Sequence, residues 1–295
     1  MKSILPRSIS VSLLAVFLTA LSGIFGAPFF RALRLAYGRR LYFATGLLAT
    51  GFFLAIKAYP FAILVCSVWM TLGAYTELEM KKLNWWLSGV IAIALGAVIV
   101  LGGTYGAIKT TGQIPSEVLM KTIQEIATQV GSANPQVKLD PQVLYQQVPS
   151  AAAIFITLVL AMGLIFEKRA LYWMKLSKMT AATQLKLLDY RMPDFFIWLT
   201  MVAFLLTMVG EQWKVTAIIA INVVNISVVF YFFQGIAVLE TLLISIRAGF
   251  FTRMLTYFLI VGQLVILVSA VGFFDYWLDF RKRIRNWKLK APEEN

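Results

Sequence analysis

Apolar residues fill this chain in long runs, separated by short polar clusters. The runs cover residues 8–30, 41–56, 60–75 and 87–107, then resume at 151–166, 195–209, 214–246 and 254–274. About 20 apolar residues in a helix cross about 30 Å of hydrocarbon. A backbone in lipid must also hydrogen-bond within itself, which favours helices. The pattern therefore predicts an all-α, polytopic integral membrane bundle of eight to ten membrane segments. The first run is expected to stay in the protein, because it lacks a small-x-small cleavage pattern and more membrane segments follow it.

Two stretches are open to more than one reading. Residues 28–40 carry Arg31, Arg34, Arg39 and Arg40 among apolar neighbours. They read either as an interfacial segment or as a short helix starting at Pro28 and dipping back into the bilayer, since proline suits a first helical turn. Residues 214–246 would measure about 50 Å as one helix at about 1.5 Å per residue, longer than a bilayer core requires. They read as two short spans breaking near Gln234-Gly235, or as one span continued by an interfacial helix. Two spans give an even number of crossings between the basic 167–194 loop and the basic tail, and are preferred.

Residues 109–149 form the one long polar stretch. Its charges cancel: Lys109, Lys121 and Lys138 oppose Glu117, Glu125 and Asp140. Leu119, Ile123, Ile126 and Val130 repeat at helical spacing, predicting an amphipathic helix over 116–130. Asp140-Pro141 is an N-cap and first-turn pair for a second short helix. The expected organisation is an N-terminal transmembrane bundle (1–108), an extracytoplasmic helical loop (109–149) and a C-terminal bundle (150–295) with a basic cytoplasmic tail. Lys81-Lys82, the 167–194 loop with six basic and three acidic residues, and six cations in 281–290 mark the cytoplasmic side.

Composition supports this reading. Of 295 residues, 60% are hydrophobic and 14% charged, against about 25% charged in soluble domains. The net charge of +13 sits in clusters flanking apolar runs, so it orients helices and argues against a nucleic-acid partner. One cysteine, Cys66, rules out an intrachain disulfide. The absence of histidine removes His-based acid–base catalysis and His metal ligation. No nucleotide loop, zinc motif or nucleophile elbow is present, so the expectation is a non-enzyme with no cofactor and no metal.

The candidate chemistry lies in the C-terminal half. With two spans in 214–246, Asn222, Glu240 and Gln263 fall near mid-membrane, and Asn225 shares a helix face with Asn222. With Gln234, these polar groups are the expected lining of a substrate site, since polar groups in lipid need a partner or a purpose. The rival reading is interhelical glue, with Glu240 paired to Arg247. Asp275 and Asp279, beside Arg281 and Arg283, are expected to form interface salt bridges or to cap the cytoplasmic end. The Gly89/Gly96 pair, seven apart on one face, reads either as a site of close helix contact or as lipid-facing glycines.

Several stretches resemble the YybS-like family of bacterial predicted membrane proteins, a domain of unknown function. They are residues 192–198 (MPDFFIW), Asn222, residues 232–238 (FFQGIAV), residues 272–275 (GFFD) and residues 279–283 (DFRKR). The N-terminal half matches more loosely, through Thr19-Ala20-Leu21 and the 28–40 stretch ending in Tyr37-Gly38-Arg39-Arg40. The family is distantly similar to the substrate-binding S components of energy-coupling-factor transporters. That resemblance implies a bacterial inner-membrane protein with a short early helix and a small-molecule site, while the placement of the cations predicts that both termini of this multi-pass chain are cytoplasmic. The partners to expect are the lipid bilayer, a small-molecule ligand and a membrane-protein partner. Two functions follow as expectations: a transporter or S-component-like binding protein for a small solute, or a non-transporting scaffold or regulatory subunit of an envelope complex.

Overall fold

The computed structural model describes residues 4–134, 136, 139–176, 187–208 and 213–290. Among them every regular element is helical, and the chain divides into two compact units between Gln184 and Leu185. The first unit holds α1 (Ile4–Ser22), α2 (Ala27–Ala55), α3 (Tyr59–Met80), α4 (Trp85–Thr110), α5 (Pro115–Ala133), α6 (Pro141–Gln146) and α7 (Val148–Trp173). The second holds a 3-10 turn (Leu187–Asp189), then α8 (Asp194–Leu206), α9 (Lys214–Ser245), α10 (Phe250–Gln263), α11 (Val265–Leu278) and α12 (Phe280–Lys290).

Helices α3, α4, α7 and α9 are long and apolar enough to cross a membrane, and α10 with α11 makes a fifth if that bent pair is one span. The polytopic helical reading holds. The other expected segments are helical too, but short, as in α1 and α8, or interrupted, as in α2. Proline opens α2, α3, α5, α6 and α7, where its missing N–H costs nothing. The expected short helices of the polar stretch are α5 and α6, with the Asp140 carboxylate accepting from the Gln142 N–H.

In the first unit α3 packs against α2, α4 and α7 around Phe30, Leu33, Tyr42, Val68, Leu72 and Ile156. Gly96 lets α4 approach Thr71 and Ile156, whereas Gly89 faces open space. Helix α2 is broken at Gly38, whose φ of 82° and ψ of −173° only glycine adopts readily. In an unbroken helix Phe30 and Tyr42 would be separated by about 18 Å of rise. Their rings lie 6.2 Å apart, so the arms 27–37 and 39–55 bend towards each other. The first arm is a short helix in which Arg31 and Arg34 are buried, while Arg39 and Arg40 beyond it are exposed.

In the second unit α11 lies along α9 with the backbones in contact. A side chain on Gly235 would run into the Val268 carbonyl, and one on Gly272 into the Tyr231 carbonyl. Here two sequence expectations are corrected. Residues 214–245 form one continuous helix, because Gly235 serves as a contact site for α11 and not as a break. The 254–274 run is not one straight span: α10 ends at Gln263, and the chain bends by 100° before α11. A third correction concerns Glu167, expected to begin a loop. Helix α7 runs on to Trp173 and buries it. Most of the rest of the expected 167–194 loop, residues 177–186, lies outside those described.

Candidate functional site

The polar residues singled out from the sequence are dispersed. On the single helix α9, Asn222 and Glu240 lie about 27 Å apart along the axis, so they cannot share one depth. Asn222 and Asn225 are half-buried, and the Asn222 amide donates to the Ile218 carbonyl one turn back. Gln263 is exposed at the α10–α11 bend. Glu240 accepts from Arg253 Nη1 at 3.0 Å and from the Tyr257 hydroxyl, so its partner is Arg253 and not the expected Arg247.

Gln234 is 1% exposed and works as a clamp. Its Oε1 accepts from the Met192 N–H at 2.9 Å, and its Nε2 donates to the Gly272 carbonyl at 2.9 Å. One side chain thus ties the entry to α8 and the α11 backbone to α9, leaving little of the amide for a ligand. Asp275 is buried and accepts from Arg281 Nε (3.0 Å) and Nη2 (2.7 Å). Arg281 Nη1 donates to the carbonyls of Leu188 and Tyr190 at 3.1 and 3.0 Å. Asp279 ends α11 in the left-handed conformation and pairs with Arg191 at 3.2 Å. Arg283 is exposed.

Among the described residues the most deeply buried ionic cluster lies in the first unit, away from the residues expected to line a site. Arg31 is 1% exposed on the first arm of α2. Its Nε donates to Glu167 of α7 at 3.1 Å, its Nη2 to Glu79 and its Nη1 to the Thr76 hydroxyl, both on α3. The guanidinium lies 5.6 Å from the ring centre of Tyr75. One turn on, Arg34 donates to Glu77 through Nε and Nη2 at 3.0 and 2.6 Å. A planar fork can serve three partners in three directions, which a lysine ammonium cannot do with the same geometry.

Burying these charges is costly unless every one is matched, and removing one partner of such a pair typically costs about 3–5 kcal/mol. The cluster brings both signs of charge together from three helices. Among the described residues no three His, Cys, Asp or Glu side chains are grouped to hold a metal ion. The signal in the sequence was Arg31 and Arg34 inside an apolar stretch, with Glu77 and Glu79 at the end of the next. That stretch reads as an interfacial segment or as a short helix dipping into the bilayer, and the partners of its arginines are distant in sequence.

The chain belongs to the family described as "Predicted membrane protein (DUF2232)", whose profile matches residues 7–276. No curated protein matches the chain. No solved structure matches it either.

Proposed function

We propose that this member of the DUF2232 membrane-protein family binds, and moves across the membrane, a small charged or zwitterionic solute. Its site centres on Arg31, Glu79 and Glu167. The observation that carries this reading is one buried guanidinium held by two carboxylates from two helices, on a helix that is interrupted about two turns later at Gly38. Ionisable groups inside a membrane bundle are costly and mark solute paths. Interrupted helices mark the binding regions of many transporters. The sequence resemblance to transporter S components points the same way. In this reading the protein is not an enzyme, resides in a bacterial inner membrane, and has both basic termini in the cytoplasm.

The test is a metabolite screen read as a shift in melting temperature of the full-length protein in detergent. A charged or zwitterionic compound should stabilise the wild type and fail to stabilise Glu79→Gln. A compound that stabilises both equally is not held by this cluster.

A second reading, a scaffold or regulatory subunit, is favoured by α5. This helix lies in the polar stretch yet exposes Ile126 and Val130, at 50% and 38%. A protein partner that co-purifies with the full chain and is lost on deleting residues 109–149 would support that reading.

A further inference from the structure

At the polar end of the second unit, a cleft of about 550 Å³ opens between residues 188–191 and α12. Arg191, Arg281, Lys282 and Arg285 line it, against Asp189 and Asp279. These groups are not equally available. Arg281 is fixed by Asp275 and two backbone carbonyls, and forms the rigid floor. Arg191 and Asp279 pair at 3.2 Å, but both are about half exposed (43% and 51%), and exposed pairs contribute little and exchange readily. Lys282 and Arg285 are exposed, and neither makes an ion pair among the described residues. Among the described residues Arg285 spends only its Nε, on the Arg281 carbonyl at 3.3 Å. The cleft therefore combines a structured floor, two cations with no ion pair among the described residues, and Arg191, which is held by the exposed Asp279 pair, the Tyr276 carbonyl at 3.4 Å and the Tyr276 ring at 5.8 Å. That set of donors suits a phosphate monoanion.

The surroundings identify the source of the phosphate. Immediately before the cleft, α11 exposes Phe274, Trp277 and Leu278, at 51%, 47% and 38%. Immediately after it, α12 places positions 280 and 284, Phe and Ile, one turn apart on one face of a helix with six cations and no acid. Apolar surface thus gives way to cations over a few residues, as it must where acyl chains meet headgroups. We propose that this cleft binds the phosphate of an anionic lipid headgroup, with Lys282, Arg285 and Arg191 as its ligands and the Asp275–Arg281 pair as its support.

The test uses the full-length protein in nanodiscs of mixed phosphatidylcholine and phosphatidylglycerol, counting lipids retained on release by native mass spectrometry. Wild type should retain phosphatidylglycerol selectively. Lys282→Gln/Arg285→Gln should weaken that retention by about 30-fold, at the usual contribution per cation near a charged leaflet. Lys81→Gln/Lys82→Gln removes two exposed cations from the other unit and should change it less than twofold. Should the double variant lose abundance, Lys282→Gln alone should weaken retention about fivefold. Equal loss in both double variants would overturn the site in favour of diffuse surface charge. Saturable binding of inorganic phosphate without any preference between the two lipids would overturn the lipid assignment.

Discussion

Gln234 shows how far a residue's type can be read and where its role must be seen. Sequence logic flags a glutamine in an apolar run as either ligand or glue, and both readings assume the same desolvation cost. Only the fold brings the Met192 N–H and the Gly272 carbonyl to its two ends. Gln234→Leu should lower stability by about 2–4 kcal/mol, seen as a reduced melting temperature, because the Met192 N–H is left buried without an acceptor. An unchanged melting temperature would mean the clamp contributes nothing. Arg281→Ala should cost about 3–5 kcal/mol by stranding the buried Asp275 carboxylate, and Asp275→Ala/Arg281→Met should recover part of that loss. If the double variant is no better than the single, the pair is not the source of the cost. The same limit hid the first-unit cluster: Arg31 and Glu167 are 136 positions apart, and no local pattern links them.

At the scale of elements, helix ends were the most legible feature. The prolines and Asp140 announce their helices by local chemistry alone. Helix C-termini follow a rule that is equally local but less visible. Lys57, Lys82, Lys175 and Arg247 each adopt positive φ just beyond α2, α3, α7 and α9. The next residue's N–H then bonds back in each case, for example Ala58 to the Phe53 carbonyl at 2.8 Å and Ala248 to the Leu243 carbonyl at 2.9 Å. This capping motif usually employs glycine. A cation here bears a left-handed backbone cost, offset in part by its interaction with the helix dipole.

Breaks inside helices were not legible, because glycine has two opposite uses. Gly38 interrupts α2, whereas Gly235 keeps α9 intact and admits α11. Gly38→Ala meets no neighbouring atom, yet should cost about 1–3 kcal/mol from its backbone conformation alone. Gly272→Ala should destabilise the second unit by steric overlap with α9, although it alters no charge. A melting temperature unchanged by either substitution would remove the corresponding argument.

At the scale of the whole molecule, the polytopic helical character followed from run length and composition, which depend on the solvent more than on packing detail. The number and continuity of spans did not, since hydropathy cannot distinguish a long tilted helix from two short ones. Helix α7, assigned from the sequence to a C-terminal bundle, packs with α2, α3 and α4 in the first unit. The two units should respond separately to substitution. Hydrogen exchange of Gln234→Leu should show faster exchange in α8, α9 and α11, with α2, α3 and α7 unchanged.

The central claim is that solute chemistry resides at Arg31, Glu79 and Glu167, and that the polar groups of α9 are structural. Native mass spectrometry of gently extracted full-length protein, with identification of carried small molecules, tests it most directly. Wild type and Asn222→Ala should each retain a stoichiometric charged or zwitterionic compound, and Glu79→Gln should lose it when equal amounts of folded, extracted protein are compared. A compound retained by Glu79→Gln but lost from Asn222→Ala would contradict the claim and move the site to the second unit.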